Sequence, residues 1–432
     1  MALSPRILRR QADVVLQIVQ DTLTAVSTGS PADSTLASFY RQHPEFGSRD
    51  RRLFSEIVFA YFRWQGWLVP PAAPDLATAC VLAHVLEASE INPAITVLAE
   101  TTRLAGAVLK PLGAADLAAK AAGFAALTGT PPPSAQALVP AWFSSLLRVP
   151  PGAEASEHLL RTVTAFQTPP PTWLRARPDC KARVTAVLRG AGIEPTGCAR
   201  LPDALSVPRG QNLRALAPQL KGIMEIQDLA SQVTGLICAP RPDERWWDAC
   251  CGAGGKSLHL IDLMGGRGHI LATDIRPGIL ESAERRLREA QVAGVTPRLW
   301  DGLKDPLPHE VFDGVLVDAP CSGLGTWHRN PDARWRMSAG EVDRLTGVQT
   351  ELLAKCAQRV RGGGVLVYAT CTLTRQENED VVQRFLAATP GFSPASFSHP
   401  LDDTPCQGQA WVYPWQGSCN GMFIARLIRN TI

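Results

Sequence analysis

Two apolar runs, Val315-Leu316-Val317 and Val365-Leu366-Val367, each lead into a cysteine, Cys321 and Cys371. Short β-branched or leucine-rich runs bounded by glycine, proline or polar residues are the pattern of strands buried on both faces of a parallel sheet. The same pattern predicts strands at 246–248, 269–274, 296–300, 311–318 and 365–370. Helical spacing fills the intervals at 277–290, 338–360 and 377–388. Strand and helix in alternation imply right-handed crossovers and a largely parallel sheet. Residues 421–427 add a last strand, expected to insert late.

The first 140 or so residues carry another period. Leu8, Ala12, Val15, Leu16 and Val19 recur at helical spacing, and Phe54, Ile57, Val58, Tyr61 and Phe62 trace one buried helix face. Ala- and Leu-rich residues 76–127, with turn signals at Asn92-Pro93 and Lys110-Pro111-Leu112-Gly113, predict several short helices. Prolines at 131–133 and 150–151 mark the exit. Three parts are therefore expected: an all-α region at 1–145, a linker subdomain at 160–228, and an α/β domain at 229–432.

Composition refines this modestly. The 432 residues are 45% hydrophobic and 19% charged, normal for packed domains, and the net charge is only +3. Charge is concentrated locally: residues 161–227 hold ten Lys or Arg against four acids, a plausible phosphate-tracking surface. Eleven cysteines form no Cys-x-x-Cys pair, so neither a disulfide framework nor a metal site is signalled. No run approaches the ~18 apolar residues of a membrane span, and no leader pattern follows the N-terminal arginines. A cytoplasmic monomer without metal is expected.

Ligands of open α/β sheets collect beyond the carboxyl ends of the strands. One thiol there is ordinarily a small buried hydrophobe, whereas two suggest a nucleophile and a helper. Asp248-Ala249-Cys250-Cys251-Gly252-Ala253-Gly254-Gly255-Lys256-Ser257 follows the first strand and opens a helix. A phosphate loop needs glycine where Cys250 stands, and a dinucleotide fingerprint needs glycine where Ser257 stands. S-Adenosylmethionine, which carries no phosphate, remains. Asp274 ends the second strand and suits two ribose hydroxyls; Asp301 ends the third and suits the adenine amino group. Each aspartate taken alone reads equally well as a cap.

Asp318-Ala319-Pro320-Cys321-Ser322-Gly323-Leu324-Gly325, Arg329-Asn330-Pro331-Asp332-Ala333-Arg334-Trp335 and Tyr368-Ala369-Thr370-Cys371-Thr372 with Glu377-Asn378-Glu379 resemble the Nol/Nop/Sun RNA cytosine-5 methyltransferases. The likeness runs from about Pro169 to the C-terminus. Ser48-Arg49-Asp50-Arg51-Arg52-Leu53-Phe54-Ser55-Glu56 is similar to the NusB-like RNA-binding domain of the bacterial Sun/Fmu (RsmB) branch, which modifies small-subunit ribosomal RNA. The resemblance implies a Rossmann-like, S-adenosylmethionine-dependent class I methyltransferase domain behind an all-α NusB-like one. It implies Cys371 as nucleophile at cytosine C6, Cys321 in product release, and Asp318 on the base edge. It also implies cofactor contacts along Cys250–Lys256 and at Asp274, Asp301 and Asp318.

Arg329, Arg334 and Trp335, with Trp327, are candidate RNA contacts, and ribosomal RNA or a ribosomal particle is the expected partner. Two departures stand out: the cofactor loop lacks the family's usual proline, and Asn420 precedes Gly421 where the family often has aspartate. Rival readings are a tRNA or large-subunit rRNA cytosine methyltransferase, a DNA cytosine methyltransferase, and a non-catalytic ribosome-assembly or RNA-binding factor that kept the fold.

Overall fold

Caps set where the N-terminal helices begin. In the computed structural model, which describes residues 4–431, the Ser4 side chain accepts from the Ile7 N–H and Pro5 fills the first turn of helix Pro5–Ser27. Its Val15, Ile18, Val19 and Thr22 are buried. Helix Ser48–Trp64 buries Leu53, Phe54, Ile57, Val58 and Phe62. Asp75, Asn92 and Asp116 cap Leu76–Glu87, Pro93–Ala99 and Leu117–Thr128. The Asn92-Pro93 turn signal is thus also a helix start.

The chain forms two compact units, and neither is a single stretch of sequence. The helical unit runs to Ser145 and also takes in Val149–Thr168 and Trp327–Ser338. The last of these carries the residues suggested above as RNA contacts, and its packing corrects that expectation. Arg334 is fully buried, and its guanidinium donates to the carbonyls of Leu138 (2.8 Å), Trp327 (3.3 Å), Arg63 (3.4 Å) and Phe166 (3.5 Å). With no surface left, it cannot reach a phosphate. Trp327 is likewise buried, its ring packed between Phe143 and Phe166. Asp332 accepts from the Ala32 N–H at the start of helix Ala32–Gln42, and Trp335 Nε1 donates to the Phe62 carbonyl at 2.7 Å. Arg329 and Trp335 keep partly exposed side chains.

The second unit comprises Leu146–Arg148, Pro169–Thr326 and the chain from Ala339 on. Strands β1 (Thr172–Ala176), β2 (Thr196–Gly197), β3 (Ala204–Val207) and β4 (Met224–Ile226) form an antiparallel sheet in the order β2-β3-β1-β4. This sheet has a core of its own, built on Leu174, Val184, Leu188, Leu205 and Val207, and is also joined to the rest of the unit. Trp173, Leu201 and Ala204 share a core with Val233, Leu258 and Met422. Arg175 (2.7 Å) and Arg177 (2.8 Å) both bind Asp262 on helix Gly255–Leu263. Two of the ten basic residues of this segment are therefore internal locks. Arg189 is paired with Glu194, and Arg200 with Asp403.

The main sheet holds β5 (Arg245–Asp248), β6 (His269–Asp274), β7 (Val295–Leu299), β8 (Phe312–Asp318), β9 (Val360–Thr370), β10 (Phe392–Pro394), β13 (Gln409–Val412) and β14 (Met422–Arg429). The short β11 (Phe397–Ser398) and β12 (Pro405–Cys406) pair with each other. The order is β7-β6-β5-β8-β9-β14-β10, with β13 also on β14. β5 to β9 are parallel, and β14 enters antiparallel between β9 and β10. This is the Rossmann-like methyltransferase arrangement. Chain direction across the sheet reverses at β5, so the crevice beyond β5, β6, β8 and β9 is the topological switch point. Among the described residues no helix is long and apolar enough to cross a membrane, and no cluster of metal-ligating side chains occurs.

Two buried cation sites are testable. Asp262→Ala strands both arginine partners and should lower the free energy of unfolding by about 3–5 kcal/mol, read from urea denaturation. Arg334→Met leaves its carbonyls without donors and should destabilise by about 3 kcal/mol, read as an earlier helical melting transition by circular dichroism.

Candidate active site

The ends of β8 and β9 lead into the two cysteines. The Asp318-to-Ala369 register sets the two strands level, and the Ala319 N–H donates to the Ala369 carbonyl at 2.9 Å. Both chains then turn, which brings the sulfurs of Cys321 and Cys371 to 3.4 Å. The bond to Cys371 and then burial push the Cys321 thiol well above its usual range.

Glu377 fixes that spacing. Its carboxylate is fully buried and accepts from the Ser322 N–H (2.8 Å), Ser322 Oγ (2.5 Å), Thr372 Oγ1 (3.0 Å), Thr374 Oγ1 (2.9 Å) and Gln349 Nε2 (3.0 Å). Ser322 and Thr372 each follow a cysteine, and their hydroxyls lie 2.7 Å apart. Asn378 bonds Thr370 Oγ1 and the Thr372 carbonyl. The loop after Cys321 also presses on the loop before β14. The Gly325 N–H donates to the Cys371 carbonyl and the Gly421 N–H to the Gly325 carbonyl, and a Cβ on Gly325 would lie 2.2 Å from the Gly421 oxygen. Nothing larger than glycine fits there.

The glycine-rich loop between β5 and helix Gly255–Leu263 sits beside these strand ends. Gly252 and Gly254 adopt positive φ (53° and 78°), and Gly254 ends the turn just before helix Gly255–Leu263. Lys256 Nζ donates to Asp318 at 2.7 Å. Burial draws the Lys256 pKa down, but Asp318 outweighs it and leaves it raised. Asp248 is fully buried and bonds Ser257 through one oxygen, while the other has no protein partner. Burial, opposed by Ser257, pushes its pKa up to about 7. Asp274 accepts from the Gly252 N–H (3.0 Å) and from the Arg276 guanidinium (2.9 and 3.0 Å). Burial would raise it, but these bonds hold it below the ordinary carboxylate range.

A cavity of ≈ 550 Å³ runs from Asp274 past Trp300 and Leu303 to Asp318, Cys321 and Cys371. A second, ≈ 340 Å³, opens on Cys371 and Asp318 from the side of Lys256, Asp248 and Asn420. The structure thus gathers Cys250, Cys251, Gly252, Asp274, Asp318, Cys321 and Cys371 on one cavity, with Ala253, Gly255 and Lys256 on the next. Asp301 is not brought in. Its carboxylate accepts from the Leu303 and Lys304 N–H groups and pairs with Lys304 Nζ, so the local turn has claimed it. Glu377, Ser322 and Thr372 stand inside the family-like motifs, which gave them no individual role, and Lys256 and Asp318, expected as separate contacts, pair with each other.

The arrangement offers two adjacent thiols, an acid–lysine pair and a strand-end acid on the cavity, with a second buried acid beside them. Residues 235–428 match the family model described as 16S rRNA methyltransferase RsmB/F. The chain is 34% identical to the probable ribosomal RNA small subunit methyltransferase B of Synechocystis over 67% of this chain and 66% of that protein. It is 28% identical to ribosomal RNA small subunit methyltransferase B of Pseudomonas putida over 94% and 96%. Two solved structures share the fold. PH0851 superposes with a TM-score of 0.74 at 22% identity over 99% of both chains. NSun6 from Pyrococcus horikoshii, solved with SFG, gives 0.56 at 19% identity over 64% of this chain and 96% of that one. On the family model, the relatives and a sheet whose strand ends carry the matching motifs, the chain belongs to the RsmB/F family of 16S rRNA methyltransferases.

Proposed function

We propose that the protein methylates C5 of a cytosine in ribosomal RNA, in the small-subunit 16S species, using S-adenosylmethionine. The observation that carries this reading is the pair of thiols 3.4 Å apart beside Asp318. The residues present suit the cofactor. The ≈ 550 Å³ cavity is of ligand size, Asp274 offers acceptors to a ribose diol once Arg276 swings aside, and buried Asp248 has an unpartnered oxygen. Bound there, the cofactor supplies an electrophilic methyl group.

The protein's task is to make C5 nucleophilic. Cys371 Sγ adds to C6 as a thiolate, which turns the ring into an enamine. Asp318, held by Lys256, takes the N3/N4 edge and shares a proton there as the adduct forms. After C5 accepts the methyl group, its proton must leave and the Sγ–C6 bond must break. Cys321, its sulfur 3.4 Å from that of Cys371, assists this release: having lost its own proton to solvent, it takes the C5 proton while the electron pair of the C5–H bond forms C5=C6 and expels Cys371 as a thiolate. The target base has to leave its stack to reach these groups.

The helical unit is the NusB-like RNA-binding part in this reading. Exposed Arg6, Arg9 and Arg10 line one end of its first helix, and Arg49 and Arg52 are exposed on Ser48–Trp64. Arg329 and Trp335 are retained as candidate RNA contacts.

Cys371→Ala should abolish tritium transfer to unmodified 16S rRNA and form no adduct, whereas Cys321→Ala should accumulate a covalent protein–RNA species on denaturing gels. A trapped species with Cys371→Ala instead overturns the assignment, and transfer to duplex DNA but not RNA overturns the substrate. Bisulfite sequencing of rRNA from a deletion strain locates the base. Glu377→Ala releases both cysteine loops. It should lower kcat by about 100-fold or more while leaving S-adenosylmethionine affinity, measured by calorimetry, within about twofold.

A further inference from the structure

Beside the active-site cavity lies a larger recess of ≈ 690 Å³ that the proposed chemistry does not use. Its floor is apolar: Leu213, Pro218, Met224 and Ile226, the last with 53% of its surface exposed. Its rim is cationic, with Arg214, Lys221, Arg285 and Arg286 against Glu225 and Glu289. Arg286 pairs with Glu225 and Lys221 with Glu289, which leaves the excess positive charge on exposed Arg214 and Arg285. Arg285 donates to the Ser282 hydroxyl at 3.2 Å.

The recess adjoins the active site. Ile226, Ala253 and Arg286 line both it and the ≈ 340 Å³ cavity that opens on Cys371. Arg286 is the partition between them, tied to the Ala253 carbonyl of the cofactor loop at 3.0 Å and to Glu225 at 3.2 Å. A polymer that places one unit against Cys371 has this recess next along its path. Apolar floor, guanidinium rim and net positive charge together suit a nucleobase with its phosphate, since bases stack on apolar and guanidinium surfaces and phosphates take the charge.

We propose that this recess is a subsite for the single-stranded RNA nucleotide flanking the methylated one, with Arg214 and Arg285 on its phosphates. The inference rests on the RNA-methyltransferase reading and goes beyond it by placing the strand on one side of Cys371.

The test is Arg214→Glu/Arg285→Glu against the unmodified 16S rRNA transcript, with Arg189→Glu as a reversal outside the recess. The double variant should weaken transcript binding by about tenfold at moderate salt. The slope of log affinity against log salt should become shallower by about 0.7 for each lost phosphate contact. S-Adenosylmethionine affinity and the rate at saturating transcript should stay within about twofold. Ultraviolet cross-linking of the wild-type complex should map RNA to the peptides around 213–226 and 282–289. Unchanged transcript affinity, an equal loss with Arg189→Glu, or cross-links elsewhere only would overturn the subsite. If the wild-type protein transfers no methyl group to RNA, the functional reading fails, and the binding and cross-linking results still decide the subsite.

Discussion

Glu377 is a carboxylate with no solvent contact, and an isolated buried charge costs several kcal/mol unless donors surround it. Five hydrogen bonds do so here, and they come from both cysteine loops and from Gln349 on helix Ala339–Ala357. The requirement runs in both directions. The carboxylate needs the loops in one geometry for its own satisfaction, and the loops, which lie outside the sheet ladder, take their geometry from it. The sheet brings β8 and β9 level; the buried acid converts that alignment into a sulfur–sulfur distance.

The same exchange of stability for geometry recurs at Asp248. A carboxyl whose folded pKa lies near 7, above its ordinary value, favours the folded state fully only at low pH. That contribution is lost as pH rises through the folded value, so near neutrality the protein carries a strained acid at its cofactor loop. Lys256 and Asp318 show the opposite balance, a pair in which attraction outweighs burial. The site thus sets a carboxyl raised by burial at the end of β5 near a lysine whose charge Asp318 favours on the following helix.

Much of this was legible in the sequence. The parallel strands, their helices and the inserted last strand follow from short continuous apolar runs and helical stripes, because a sheet covered on both faces leaves little room for other residues. The cysteines were visible by position. The misassignments share a cause. Arg334, Arg175 and Arg177 read as surface charge, since arginine is rarely buried; each is instead surrounded by carbonyls or a carboxylate supplied by residues distant in the chain. Asp301 went to its own turn, a local competition that strand-end position alone does not decide. Long-range partners are what a one-dimensional pattern lacks, and for the same reason the sequence did not show that the linker segment, beside a core of its own, lends Trp173, Leu201 and Ala204 to that of the α/β domain.

The excursion of Trp327–Ser338 into the helical unit bears on how such a protein can be inherited. The segment begins one residue after the loop that carries Cys321, yet its Trp327, Asp332 and Arg334 find their partners among Ala32, Arg63, Leu138, Phe143 and Phe166. A gene that passed on only the α/β portion would encode a buried guanidinium and an indole with nothing to receive them. The helical unit is therefore not a contiguous N-terminal cassette, because a dozen of its residues are encoded inside the α/β half, and exchanging it for another helical domain would require rewriting those residues as well.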